Sequence, residues 1–168
     1  MTARPERVVG IDPGLSGAVA LLQEDCFVGV WDIPLLIDDD GRKAPCALAT
    51  SRLLSEIKPD LVVIEQVNAM PSAPGKNGQR RTMGAQSMFN FGRGFGLVEA
   101  AATINKLRIE YTRPASWKRR CGLINAHKDI ARLRAQEQWP QAQHELRLKK
   151  HHGRAEALLI ARYGHTHW

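Results

Sequence analysis

The chain has 168 residues, 43% hydrophobic and 24% charged, which is the balance of a soluble globular protein and the length of about one domain. No apolar run approaches the ~18 residues of a membrane span, "MTARPERVV" lacks the apolar core of a signal peptide, and the three cysteines (Cys26, Cys46, Cys121) have no metal-site spacing, so a cytoplasmic protein with reduced thiols is expected. Lys and Arg outnumber Asp and Glu 24 to 17, and the net charge of +7, gathered from Lys76 onward, favours a polyanionic partner over a merely soluble basic surface.

In chain order, "RVVGID" (7–12) reads as a strand that ends on "PGLSG", whose Pro and Gly mark a turn. "AVALL" and "CFVGVW" follow as strands joined by a hairpin-like "QED", so three antiparallel strands are predicted. "KAPCALATSRLLSEI" (43–57) carries Leu48, Leu53, Leu54 and Ile57 at helical spacing and stops at "KP". "DLVVIEQ" is a continuous β-branched run suited to a buried parallel strand. Residues 68–82 read as a mobile loop, and 83–105 as a helix whose glycines must be offset by close packing. "LRIEYT" is a strand, a short helix opens at Pro114, a basic helix over 125–140 is capped by Asn125, and the last helix spans 151–164. The terminal "HTHW" reads as a frayed tail. The result is an α/β domain over 1–168, a mixed sheet of three antiparallel strands plus parallel strands, flanked by helices.

Two of these strands end on carboxylates, Asp12 and Glu65. If they are neighbours, both acids meet at one rim of the sheet. Glu156 lies one helical turn after His152, and i to i+4 spacing puts the two on one face. Three carboxylates and an imidazole would repel or go uncompensated without a cation, and oxygen-rich ligation without thiolates suits Mg²⁺ or Mn²⁺. Taken singly, each residue reads as a turn Asp, a solvated helix Glu or a helix N-terminal cluster; the combination with a basic chain points to a site. "GRGFG" (92–96) sits inside a helical pattern rather than between strand and helix, so no nucleotide cofactor is expected.

"GIDPGLSGAVAL", "VVIEQV" and "GRAEALLIA", in this order, resemble the RuvC-type Holliday-junction resolvases of the ribonuclease H-like superfamily, above all their short bacteriophage forms. The resemblance spans nearly the whole chain. It implies a structure-selective DNA endonuclease that uses two metal ions, with Asp12 bridging them, Glu65 on one side, and Glu156 plus His152 on the other. The fourth family position falls within His151–His152–Gly153, so His152 or His151 stands where an Asp or His is usual. Where bacterial resolvases carry a junction-wedging aromatic, Asn68 stands here, leaving Met70 or another loop residue for that task. "RPASWKRR" and "NAHKD" resemble basic segments near the scissile phosphate and point to Lys118 and Lys128; Lys76, Arg80 and Arg81 in the loop are expected on DNA as well. A homodimer is implied, with the small-residue helix 83–105 as its interface, although that helix could equally pack on its own sheet.

Two rivals stand beside this reading. An actin-like ATPase or sugar kinase shares the strand–Asp–Gly turn but needs two such domains. A junction-binding protein without cleavage is compatible with the altered fourth ligand.

Overall fold

Val8, Val9 and Ile11 have no exposed surface, which makes β1 (Arg7–Asp12) a central strand covered on both faces. The computed structural model describes residues 4–66, 73–74, 80–81 and 84–166. After β1 the chain forms β2 (Ala18–Gln23) and β3 (Cys26–Asp32), then a small ladder of β4 (Leu35–Ile37) with β5 (Lys43–Pro45). Helix α1 (Ala47–Ile57) leads to β6 (Leu61–Glu65), and the two-residue pair β7 (Ala73–Pro74) and β8 (Arg80–Arg81) precedes α2 (Ala85–Ile104). Then come β9 (Ile109–Thr112), α3 (Pro114–Arg120), α4 (Lys128–Gln138) and α5 (His152–Thr166).

The main sheet has the order β3-β2-β1-β6-β9, with β1–β2 and β2–β3 antiparallel and β1–β6 and β6–β9 parallel. This is the predicted mixed sheet. Glu24 and Asp25, at φ 49° and 68°, make the tight β2–β3 turn whose backbone matches strand twist. Strand alternation sorts side chains onto two cores. Val8, Ala18, Ala20, Leu22, Val30, Leu61 and Val63 pack on α3, α4 and α5, while Val9, Ile11, Val19, Leu21, Val62 and Ile64 pack on α1 and α2. Helix α5 lies directly on β1: a Cβ at Gly10 would come 2.2 Å from the Ala157 carbonyl oxygen, so only glycine permits this approach.

The elements depart from the sequence reading in four places, and one further expectation lies largely outside the described residues. Residues 43–45 are strand, because they pair with 35–37 across the Asp38–Gly41 turn; α1 starts only after Cys46, whose Sγ accepts from Ala49 N at 3.4 Å. The cap of α4 is His127 rather than Asn125: Asn125 takes a left-handed φ of 59°, and His127 Nδ1 accepts from Asp129 N at 3.3 Å. Of the α2 glycines, only Gly94 lies against another element, at Pro45; a Cβ at Gly92 or Gly96 meets nothing among the described residues within 4 Å. The loop 68–82 lies largely outside the described residues, and its four described positions form the β7–β8 pair. The tail begins later than expected, since α5 runs to Thr166 and His165 is 1% exposed, its Nε2 accepting from Asp25 N at 3.5 Å. No helix among the described residues is long and apolar enough to cross a membrane.

Candidate active site at the carboxylate rim

The register places Asp32 opposite Ala18, Ala18 opposite Asp12, and Glu65 opposite Thr112, with Glu65 one step past the Ile11–Ile64 pair. Asp32, Asp12 and Glu65 therefore lie in one row across the ends of β3, β1 and β6. All three fall on the side of the sheet that α5 covers, as their parity with Val30, Val8 and Val63 requires. The row sits where open α/β sheets put their ligands, beyond the carboxyl ends of the parallel strands.

Asp12 lies just ahead of the β1–β2 turn, and its Oδ1 accepts from Gly14 N at 3.2 Å. Burial pushes its carboxyl up to about 6 and the nearby Glu156 charge adds to this, while the Gly14 hydrogen bond, His152 and Lys118 oppose it. Burial likewise pushes Glu65 up to about 7, against the hydrogen bond from Trp117 and with help from Asp12 and Glu156. Two neighbouring carboxylates held this far up lack sufficient counter-charge.

Helix α3 supplies the partners that are present. The fully buried Trp117 donates its indole Nε1–H to Glu65 Oε1 at 2.7 Å. Lys118 Nζ lies 3.7 Å from Glu156 Oε1 and 5.1 Å from the centre of the Trp117 ring. The dipeptide Trp117–Lys118 thus holds one acid of β6 and one of α5.

The histidines separate. His152 opens α5 and stands close enough to Asp12 to oppose its upward shift. His151 closes the preceding 3₁₀ turn (Lys149–His151), where Nδ1 accepts from Leu148 N at 3.4 Å; burial lowers its pKa first, followed by the positive charge of Arg154, with Lys150 and Arg147 adding to it against Asp32. Gly153 carries no side chain for a steric reason. A Cβ there would sit 2.2 Å from the Ser16 carbonyl oxygen, so this position accepts only glycine.

Asp12, Glu65, His152 and Glu156 are therefore brought to one rim, with Lys118 among them. Lys76 lies outside the described residues, as do Asn68 and Met70. Arg80 and Arg81 are described only as backbone in β8, and Lys128 as the first residue of α4, its side chain outside the described residues. The sequence reading missed Asp32 and Arg154. Arg154 grips Asp32 with both arms, Nε to Oδ1 at 2.6 Å and Nη2 to Oδ2 at 2.8 Å, and reaches Glu145 Oε2 with Nη1 at 3.1 Å. The available signal was a third strand ending on a carboxylate.

A hard divalent cation fits this donor set in kind: carboxylate oxygens and one imidazole, two of the acids buried and undercompensated. The donors do not stand as a ready cage. Among the described residues no three His, Cys, Asp or Glu side chains close on a common point, and Glu65 and Glu156 are held by Trp117 and Lys118 instead.

Among solved structures the chain is similar to Thermus thermophilus RuvC in complex with Holliday junction substrate, with 17% sequence identity and a TM-score of 0.51, covering 92% of this chain and 90% of that one. A second Thermus thermophilus RuvC structure matches with 19% identity, the same TM-score of 0.51 and the same coverage of 92% and 90%. The chain has the RuvC fold. No protein-family model and no curated protein matches it. At this identity the likeness concerns the arrangement of strands and helices.

Proposed function

We propose that this chain is a metal-dependent endodeoxyribonuclease that resolves four-way or related branched DNA junctions. The observation that carries the reading is the row of acids on one rim, with Asp12 and Glu65 short of counter-charge, in a chain of net charge +7. The RuvC solved with a Holliday junction shares the fold, which supports branched DNA as the partner. Asp12, Glu65, His152 and Glu156 would hold Mg²⁺ or Mn²⁺, two ions per site. Bound there, the metal supplies a more acidic water and a Lewis acid for phosphodiester hydrolysis. Lys118 would meet a phosphate as a point charge, and Lys76, Arg80, Arg81 and Lys128 would add phosphate contacts. A homodimer, each subunit cutting one strand, follows from the need for symmetric cleavage. The exposed Met88, Phe89 and Phe91 on α2, near glycines that meet nothing within 4 Å among the described residues, support that helix as the dimer face. The protein would work in the cytoplasm of a bacterial cell, where such DNA is found.

The test is nicking of a synthetic four-way junction in Mg²⁺ and in Mn²⁺. Asp12→Asn and Glu65→Gln are expected to abolish cleavage and leave junction binding in place, because binding rests on phosphate contacts that these changes do not remove. Cleavage by Asp12→Asn at the wild-type rate would sink the assignment. A second reading, junction binding without cleavage, is favoured by the acids not closing into a cage. Wild-type protein that binds the junction and never nicks it in either metal would establish that reading.

A further inference from the structure

The chain from Arg147 into the start of α5 reads "RLKKHH" and carries three Lys and Arg side chains. Arg147, Lys149 and Lys150 are exposed, and among the described residues no carboxylate lies within ion-pair distance of any of them. A run of exposed cations is ordinarily a solvated face. Here two further facts apply.

First, the backbone that carries them is fixed. Leu146 is fully buried, and its carbonyl accepts from both Arg132 Nη1 and Gln136 Nε2 at 3.2 Å. Leu148 N is held by His151, and Arg154 ties the start of α5 to Asp32 and Glu145. Arg154 is thereby used up within the fold, whereas Arg147, Lys149 and Lys150 remain available.

Second, the segment lies at the opposite end of the acid row from α3. Arg154, four residues past Lys150, bonds Asp32 at the end of β3, whereas Trp117 and Lys118 hold Glu65 and Glu156 on the β6 side. From β3 to β6 is three strand spacings, roughly 14 Å. A DNA strand advances about 3.4 Å per phosphate along its axis, so the row spans roughly four phosphates. Like charges bracketing a row of acids suit a polyanion laid across it.

We propose that Arg147, Lys149 and Lys150 form a second phosphate-binding platform that takes the DNA backbone on the β3 side of the rim, opposite Lys118. The inference rests on the reading of DNA as the partner and adds a site to it. Phosphate contacts carry no branch information, so the platform serves duplex arms and junctions alike and sets the path of the strand over the acids.

The experiment replaces Arg147, Lys149 and Lys150 together by Gln and follows binding of a labelled four-way junction and of a duplex in Ca²⁺ between 50 and 200 mM salt. The slope of log K against log[salt] is expected to fall by roughly 2–3 for both DNAs. The Ca²⁺-induced rise in Tm should stay as in wild type, which separates a lost DNA contact from a damaged acid site. The paired change Arg52→Gln and Lys106→Gln, away from the rim, should leave the slope in place. If wild type binds and the triple variant keeps its slope, or if the remote pair lowers the slope as much, the platform is overturned. Wild-type protein that binds neither DNA overturns the DNA reading itself, and the platform with it.

Discussion

Asp12→Asn is expected to stabilise the fold while it destroys the site. Burial raises this carboxyl from its ordinary 3.8 to about 6, so the folded state prefers the protonated form. Such a group favours folding fully below pH 3.8, and the benefit is lost as pH climbs through about 6. At about 1.4 kcal/mol per pH unit the rise amounts to ~3 kcal/mol of folding free energy forfeited at pH 8. Asparagine resembles the protonated acid at every pH, and removing the charge also relieves Glu65, whose carboxyl Asp12 helps to raise. The two acids titrate together, so a gain of roughly 1–3 kcal/mol is the working figure. For a chain of this size that is a rise in Tm of roughly 2–12 °C. The assay is thermal unfolding of both proteins in EDTA at pH 4, 6 and 8. The gap should be near zero at pH 4, open through pH 6 and be widest at pH 8. Adding Mg²⁺ at pH 8 should narrow it, because a ligand that binds only the folded wild type raises its stability by mass action. A variant less stable than wild type at pH 8, or a gap that ignores pH, would refute the argument that these acids are buried without adequate counter-charge.

Two further substitutions probe how the site is held. Trp117→Phe keeps most of the buried volume but removes the donor to Glu65 Oε1; the Mg²⁺ concentration for half-maximal cleavage should rise roughly 10-fold or more, with activity recovered at high Mg²⁺. Gly153→Ala drives a Cβ into the Ser16 backbone and should cost ~1–3 kcal/mol in chemical denaturation, with cleavage lost because His152 and Glu156 move with the first turn of α5.

Much of this arrangement is legible in the sequence, because it is local. A β-branched run that ends on Asp12 or Glu65 announces both a buried strand and a polar end, and 3.6-residue spacing fixes His152 and Glu156 on one face. What escaped depends on distant partners. Lys43, Ala44 and Pro45 look helical beside Ala47 and Leu48 until the pairing with Leu35–Ile37 is known. Asn125 has the chemistry of a cap, yet the chain uses its tolerance of the left-handed region and caps with His127. The grip of Arg154 on Asp32 joins residues 122 positions apart, which no short window can reveal. Gly153 looks like a missing ligand, and only the packing of α5 against the β1–β2 turn turns that gap into a requirement.

The seating of α5 on Gly10 also has a consequence for synthesis. β1 is the first described strand and α5 the last described helix, so Asp12 leaves the ribosome about 140 positions ahead of Glu156, roughly 7–28 s at ordinary elongation rates. Until α5 emerges, one face of β1 has no cover and the rim holds neither His152 nor Glu156. Whatever chemistry the rim performs is withheld from the nascent chain, and begins only after translation has passed the end of the fold.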